Sequence, residues 1–360
     1  MTHRDIHFGI DTFGDATVGA DGLPLPLHQV TRDIIEEGVL ADAVGIDHFS
    51  IGEHHRDDFA VSAPDVVLAA IAARTTRVSL GSAVVVLSSD DPVRVYERYA
   101  TLDALSHGRA EITVGRGSFT ESFPLFGYNL ADYEILFEEK LGLLAALRNE
   151  QPVTWSGSTR GPLRDQSVYP ATEGGRLPIW VGVGGSPESV VRAARYGMNM
   201  MLAVIGGPAA RFAPFVDLFR SENQRLGHPA LPVGIHSGGF VLDSDAKARD
   251  VLFPFYKTAR DRIGRERGWP PLTAEHFAKD IQNGSLYAGS PDTVAAKIAS
   301  TVTRLGVNRF DLKYSNGALP HSLLMRSIEL YGSEVVPRVR RLLELEDARL
   351  PQLSPEPAHR

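Results

Sequence analysis

The triplet Glu53-His54-His55 contains the side chains of this sequence that are best suited to acid–base chemistry. It follows the apolar run 46–51, which is typical of a buried strand, so titratable groups stand where a core strand meets solvent. A hydrogen-bonded core position is the equally weighted alternative for either histidine. Because neighbouring side chains on a strand point to opposite faces, we expect His54 and His55 not to converge on one ligand.

Two glycine-containing segments carry groups that bind anions. Gly184-Gly185-Ser186 leads from an apolar run into a helical pattern, so the hydroxyls of Ser186 and Ser189 could face one phosphate at a helix N-terminus. The simpler alternative is that Ser186 caps the helix, and this segment alone favours capping over phosphate binding by about two to one. Gly115-Arg116-Gly117 ends another strand-like run. Arginine can bind phosphate through two hydrogen bonds, and the simpler alternative is that Arg116 forms a surface salt bridge. Together the segments predict a phosphate site built from two loops.

Small residues interrupt the β-branched run 77–87, at Gly81-Ser82-Ala83. They would let a flat ring lie against the backbone, although ordinary close packing is the explanation favoured from sequence alone. A metal centre is poorly supported, because the His-Glu-x-x-His spacing and cysteine ligands are both absent. A barrel hydrolase that uses His54, His55 and His236 stays open as an alternative, at roughly one in ten.

The composition describes an acidic chain that can bury a large core. Of its 360 residues, 43% are hydrophobic, and the net charge is −7. No basic cluster with interleaved aromatics is present, which argues against nucleic-acid binding. The chain has no cysteine, which excludes disulfides and thiolate catalysis. No signal-like or long apolar stretch is present, so neither secretion nor membrane insertion is predicted, and a cytoplasmic enzyme is expected.

The elements that would position these groups alternate between strand and helix. This alternation predicts a parallel sheet closed into a TIM-like (β/α)8 barrel, with insertions after strands 4 and 7 and a small hairpin within residues 152–176. We expect one domain over residues 1–350 and a Pro-rich, disordered tail over residues 351–360. The eight predicted strands are 7–11, 46–53, 77–87, 110–115, 178–183, 199–203, 231–241 and 309–313.

The order of these motifs resembles the bacterial luciferase-like flavin monooxygenases. The resemblance spans most of residues 8–202, with a weaker trace at 289–291 and in strand eight. It implies a TIM-like barrel that binds reduced FMN at the carboxyl ends of its strands, and usually a homodimer. The motifs that carry it are Gly52-Glu53-His54-His55, residues 81–87 with 91–94, residues 108–109 leading to 114–117, and residues 180–186 with 194–197.

The resemblance also implies roles for individual residues. The segment Ser82-Ala83-Val84 would support the isoalloxazine ring, in this family often through a non-proline cis peptide. His54 matches the catalytic histidine, expected to act as an acid or base with a pKa near neutrality, while His55 is expected to face away from the pocket. The residues of the two loops that would bind the cofactor are Arg116, Gly184, Gly185, Ser186 and Ser189.

The favoured function is therefore a monooxygenase that uses reduced FMN and O₂ on an unidentified small organic substrate. Gly182, Gly184 and Gly185 lack the spacing of a nicotinamide-binding fingerprint, so a separate reductase is expected to supply the reduced flavin. Gly185 stands where luciferase has an acidic residue, and related barrels use a deazaflavin coenzyme, so a deazaflavin-dependent hydride-transfer oxidoreductase is the first alternative. A flavin-binding protein without turnover is the second, which the presence of His54 disfavours. The Val- and Ala-rich helices after strands two and three also favour a homodimer.

Overall fold

The computed structural model describes residues 6–349 and contains the predicted alternation of strands and helices. The strands are β1 (His7–Thr12), β2 (His48–Ile51), β3 (Ser79–Ser82), β4 (Val85–Val86), β5 (Ile112–Gly115), β6 (Val153–Trp155), β7 (Leu163–Gln166), β8 (Ile179–Val183), β9 (Asn199–Ala203), β10 (Val233–Val241), β11 (Tyr287–Gly289) and β12 (Arg309–Lys313). The helices are α1 (Leu27–Ala43), α2 (Pro64–Ala72), α3 (Pro92–Ser106), α4 (Ser122–Leu125), α5 (Tyr133–Leu147), α6 (Pro187–Arg195), α7 (Ala213–Arg225), α8 (Asp245–Arg267), α9 (Ala274–Gln282), α10 (Pro291–Leu305), α11 (His321–Leu330) and α12 (Val336–Arg349).

The barrel consists of parallel strands that pair in the order β3-β2-β1-β12-β10-β9-β8-β5-β4. A cis peptide bond between Ala83 and Val84 separates β3 from β4, so these two strands are the halves of the predicted third strand. One half pairs with β2 and the other with β5, which closes the ring. All eight predicted strands are present, and the TIM-like barrel is confirmed.

Both predicted insertions are present. After β5, the chain forms α4, α5 and the antiparallel hairpin β6–β7, which lies inside the range predicted to hold a hairpin. Between β10 and α10, it forms α8, α9 and β11, a short strand that pairs with β10 and that the sequence did not predict. No helix within residues 6–349 has the length and apolar character needed to cross a bilayer. The tail predicted for residues 351–360 lies outside the described residues, and the single domain over residues 1–350 stays a prediction.

A buried ion cluster fills the barrel interior beneath the strand ends. Arg309 of β12 donates to Asp311 at 2.6 Å and also pairs with Glu111, which lies 3.3 Å from His48 and accepts from Trp180 at 3.2 Å. Burial alone would raise the pKa of Glu111, but the charges of Arg309 and His48 and the hydrogen bonds from Arg309 and Trp180 together lower that pKa to about 2. Because these charges are mutually paired and Asp311 also borders the cavity above, the cluster forms a rigid floor for the site.

Candidate active site

A cavity of about 370 Å³ opens at the carboxyl ends of the barrel strands. Its volume lies in the range of small-molecule sites, which runs from roughly 300 to 1,000 Å³. About half of the lining residues are polar or charged, and the rest are aromatic, aliphatic or glycine residues. Every barrel strand contributes to the lining, with Asp11, Ser50, Ser82, Val86, Thr113, Gly182, Met201, His236 and Asp311.

His54 lies just beyond β2 and borders the cavity among three aromatic rings. Its ring centroid is 4.3 Å from that of Phe59, 4.8 Å from that of Phe13 and 5.3 Å from that of Phe119. The Nε2 atom is buried and has no hydrogen-bond partner. Burial lowers the pKa of His54 to about 3, because the rings remove the water that would solvate a charged imidazole. The expectation of a pKa near neutrality was therefore wrong, and His54 is a neutral group.

His55 also borders the cavity, so the expectation that it faces away was wrong. The alternation of a strand does not reach it, because β2 ends at Ile51. Its Nε2 atom is 2.9 Å from Oε1 of Glu53, and its ring meets that of Phe126 edge-on at 5.0 Å. The Oε2 atom of Glu53 accepts from the N–H of Val86 at 2.9 Å. Glu53, to which the sequence assigned no role of its own, thus braces the end of β2 against β4.

The segment Ser82-Ala83-Val84 lines the cavity and contains the cis peptide bond that the resemblance implies. The Ser82 hydroxyl donates to the carbonyl oxygen of Thr113 at 2.8 Å and accepts from its N–H at 3.0 Å, so it holds β3 to β5. A Cβ on Gly115 would lie 2.7 Å from Val84. Gly115 therefore makes room for Val84.

The structure brings the two predicted anion-binding loops together. An Nη atom of Arg116 donates to the Ser189 hydroxyl at 3.3 Å, and the Ser186 hydroxyl donates to that of Ser189 at 2.8 Å. Ser186 makes no side-chain cap of α6, so the plain capping alternative does not describe it. Arg116 also pairs with Glu134, an exposed residue of α5.

The glycines of these loops differ in what they do. Gly184 borders the cavity, and a Cβ added to it would meet no atom within 4 Å. Gly185 has φ +107°, in the region that favours glycine. Of the five residues predicted for this part of the site, Arg116 and Gly184 are among the lining residues of the cavity, whereas Gly185, Ser186 and Ser189 are not.

His236 and Asp11 form a buried pair that the sequence did not predict. Nδ1 of His236 is 2.8 Å from Oδ2 of Asp11, and the histidine ring stacks on Phe13 at 5.7 Å. Burial lowers the pKa of His236, but the Asp11 carboxylate outweighs it, so this pKa is raised above its usual value. One feature of the sequence could have indicated this pair. Asp11 and His236 are polar residues near the ends of β1 and β10, and both strands pair with β12.

These groups can hold an anionic ligand and can transfer or hold protons on a molecule in the cavity. Arg116 and two hydroxyls suit a phosphate. Two histidines, one neutral and one paired with a carboxylate, suit proton chemistry on a bound molecule. Within residues 6–349, no group of three His, Cys, Asp or Glu side chains is arranged to hold a metal ion.

Comparison with known proteins points to one family. The family model described as luciferase-like monooxygenase matches residues 7–309. The 4-hydroxyprotoasukamycin monooxygenase of Streptomyces nodosus subsp. asukaensis is 26% identical over 353 residues, which cover 89% of this chain and 91% of that protein. The fold is similar to that of monooxygenase RslO1 from Streptomyces bottropensis, with a TM-score of 0.77, 24% identity and coverage of 92% and 99%.

Solved structures with two different cofactors share this fold. The oxygenating constituent of 3,6-diketocamphane monooxygenase from Pseudomonas putida, in complex with FMN, matches with a TM-score of 0.73, 19% identity and coverage of 93% of this chain and 99% of that chain. An F420-dependent secondary alcohol dehydrogenase matches with a TM-score of 0.71, 16% identity and coverage of 94% and 99%. At these identities the likeness concerns the fold, and the cofactor has to be argued from the site.

Proposed function

The chain belongs to the luciferase-like monooxygenase family, and we propose that it uses reduced FMN and O₂ to oxygenate a small organic substrate. The observation that carries this proposal is the contact of Arg116 with Ser189, and of Ser189 with Ser186, at a cavity that Arg116 lines together with two histidines, His54 and His236. This arrangement offers a phosphate anchor and groups for proton chemistry in one cavity.

Polar atoms in the cavity wall are suited to binding a flavin. Oγ of Ser50, Oδ1 of Asp11 and Nε2 of His54 belong to lining residues, and each of these atoms is buried without a hydrogen-bond partner. Buried polar atoms are normally paired, so unpaired ones around a cavity favour a ligand with donors and acceptors of its own. A flavin ring carries such groups along its edges, and its flat faces suit the apolar wall.

In this proposal, Arg116 and the hydroxyls of Ser186 and Ser189 bind the FMN phosphate. The backbone at Gly184 can approach the phosphate closely because no side chain intervenes. Ser82-Ala83-Val84 supports the isoalloxazine ring, with Gly185 turning the chain into α6. When bound in its reduced form, FMN supplies the electrons that activate O₂.

His54 is proposed as the catalytic residue, acting as a neutral imidazole. A neutral imidazole donates from one nitrogen and accepts at the other, so His54 can hold a proton at one atom while receiving one at the other. Phe13, Phe59 and Phe119 surround it and exclude water, which protects reactive species from side reactions. This role needs no charge on His54 in the resting protein.

A separate flavin reductase, a homodimer and a cytoplasmic location belong to the same proposal. The reductase follows from the missing nicotinamide-binding fingerprint. For the dimer, Val66 of α2 and Leu105 of α3 are 65% and 55% exposed, so apolar surface is open on both helices that the sequence indicated. These two helices also pack against each other, so one partner surface would cover both.

The test is reconstitution with FMN and, separately, with a deazaflavin coenzyme, followed by reduction and exposure to air. We expect tight binding of FMN, visible as a shifted flavin absorbance spectrum, and oxygenation of a substrate found by screening small organic compounds with the reduced complex. Binding of the deazaflavin coenzyme in preference to FMN would contradict the proposal and favour the hydride-transfer alternative. Binding of FMN without any turnover across the screen would favour the flavin-binding protein.

A further inference from the structure

The His236 imidazole has one ring nitrogen, Nε2, that is unpaired among the described residues and lies beside the cavity. It binds Asp11 through Nδ1, and Nε2 makes no hydrogen bond to any residue in the range 6–349. The side chain is 12% exposed, and His236 is among the cavity-lining residues. With Asp11 accepting at Nδ1, a protonated ring has its second N–H available for a ligand.

The charges around His236 favour its protonated form. On β1 it faces Asp11, and on β12 it faces Asp311 and Lys313, while the neighbouring β9 offers no charged group at the paired residue Ala203. The Lys313 ammonium opposes protonation, but it is itself bound to Asp15 at 2.9 Å. The carboxylate in direct contact therefore dominates.

The position of His236 is opposite the segment that would support the flavin. In the closed ring of strands, β10 lies four strands from β3 by way of β12, and four strands from β4 by way of β9. A flat ring that rests on Ser82-Ala83-Val84 would therefore leave the substrate space on the side of His236. Apolar residues border that side, among them Phe13, Met201 and Ile205.

We infer that the His236 Nε2–H binds an anionic oxygen of the substrate, a carboxylate or a phenolate carried on an apolar body. This inference rests on the proposed function, because it places a substrate beside a bound cofactor. Arg116, Asp11 and Asp311 also line the cavity. An open N–H on a protonated His236 favours a molecule with one charged oxygen, since a neutral analogue would leave the imidazolium without a partner. Asp11 is a positioning residue, which acts by holding the imidazole oriented and protonated.

The first experiment uses benzoate as the probe and benzamide as its neutral counterpart. Their dissociation constants are measured by calorimetry, with and without saturating FMN, for the wild type, His236→Gln, Arg116→Ala and the exposed control His28→Gln. We expect benzoate to bind the wild type about tenfold or more tightly than benzamide, and His236→Gln to remove that preference, because a charged hydrogen bond is lost. His28→Gln and Arg116→Ala should keep the preference.

Several results would overturn the inference. These are equal affinity of the wild type for both probes, no binding of benzoate, and a preference that persists in His236→Gln but disappears in Arg116→Ala. Failure of FMN to bind, with the benzoate preference intact, would contradict the proposed function alone, because the anion site would then exist without the cofactor.

A second measurement does not depend on how well His236→Gln folds. Titration of ¹³C-labelled histidines by NMR follows the ring of His236 in the wild type and in Asp11→Asn, between about pH 6 and 9, where carboxylates are ionised. Benzoate should raise the pKa of His236, because binding to the protonated ring is linked to proton uptake. Asp11→Asn should lower this pKa and weaken benzoate binding at neutral pH. A His236 pKa that does not respond to benzoate would overturn the inference.

Discussion

His54 and His236 both contact Phe13 and border the same cavity, yet their pKa values are shifted in opposite directions. The His54 ring packs among Phe13, Phe59 and Phe119, and burial lowers its pKa to about 3. The His236 ring is also buried, but Asp11 contacts it directly and raises its pKa. One carboxylate in contact therefore raises the pKa of one histidine, whereas burial among aromatic rings lowers the pKa of the other.

This difference suggests a division of tasks. The neutral His54 suits proton transfer near the reacting atoms, whereas His236, whose pKa is raised, suits binding a fixed negative charge. His54 is tuned by aromatic rings from loops and His236 by a carboxylate on β1, so the two roles can be separated by mutation.

The largest effect is expected from His54→Ala. Product formation should fall by roughly 10²–10⁴-fold, the range for loss of a general acid or base. FMN affinity should change little, because the phosphate anchor lies on other strands. His54→Gln should retain more activity than His54→Ala, since glutamine keeps a neutral donor and acceptor. Product formation, FMN titration and a thermal melt for each variant check this, and full activity of folded His54→Ala would refute the role of His54.

The next largest effect is expected in the pH dependence of the free energy of unfolding, to which the two histidines should contribute differently. The pKa of His54 is about 3 in the folded protein and about 6.5 when unfolded, so the unfolded state binds more protons between these values. Its contribution to the free energy of unfolding should therefore decrease by about 2 kcal/mol from pH 7 to pH 5. Urea unfolding at both pH values should show a smaller decrease in His54→Gln than in the wild type. An identical decrease in both proteins would mean that His54 is not buried in the neutral form.

The contribution of His236 to stability should change with pH in the opposite direction. Its folded pKa lies above its unfolded value, so the pair with Asp11 contributes stability that is fully present below about pH 6.5 and is lost as pH rises through the folded pKa. The difference in free energy of unfolding between the wild type and Asp11→Asn should therefore narrow as pH rises. Urea unfolding over the same pH range as the histidine titration measures it. A difference that widens with pH would refute the charge assigned to His236.

The smallest effect is expected from His55→Ala, which replaces the third histidine at the same cavity. It removes the contact with Glu53 but no group placed in the reaction, so stability should fall by about 1 kcal/mol, the scale of one hydrogen bond. Activity per folded molecule should fall much less than in His54→Ala. Thermal melts and product formation measured side by side test this. A larger catalytic loss from His55→Ala than from His54→Ala would show that the wrong histidine was chosen.

The sequence predicts the barrel well because alternation of strand and helix is a local property. The eight strands, both insertions and the convergence of Arg116 with Ser186 and Ser189 all follow from motifs at strand ends. The break of the third strand at Ala83–Val84 appeared only through family resemblance, because no local pattern indicates it.

The pKa shifts of the histidines could not be predicted from the sequence. His236 and Asp11 are 225 residues apart in the chain, and only closure of the barrel brings them together. The pKa of His54 depends on aromatic rings from separate loops. The orientation of His55 was predicted wrongly because strand alternation was extended past Ile51, where β2 ends.

The catalytic roles assigned above presuppose a flavin whose phosphate lies at Arg116, and the affinities of FMN and riboflavin test that most directly. Arg116→Ala should weaken FMN binding by roughly 1.5–3 kcal/mol, the scale of a charged hydrogen bond, and should leave binding of riboflavin, which lacks the phosphate, unchanged. Arg195→Ala removes an equal charge from α6, where Arg195 pairs with Glu138 at 2.9 Å, and should leave FMN binding unchanged. Equal FMN affinity in the wild type and Arg116→Ala, measured by fluorescence titration, would contradict the account.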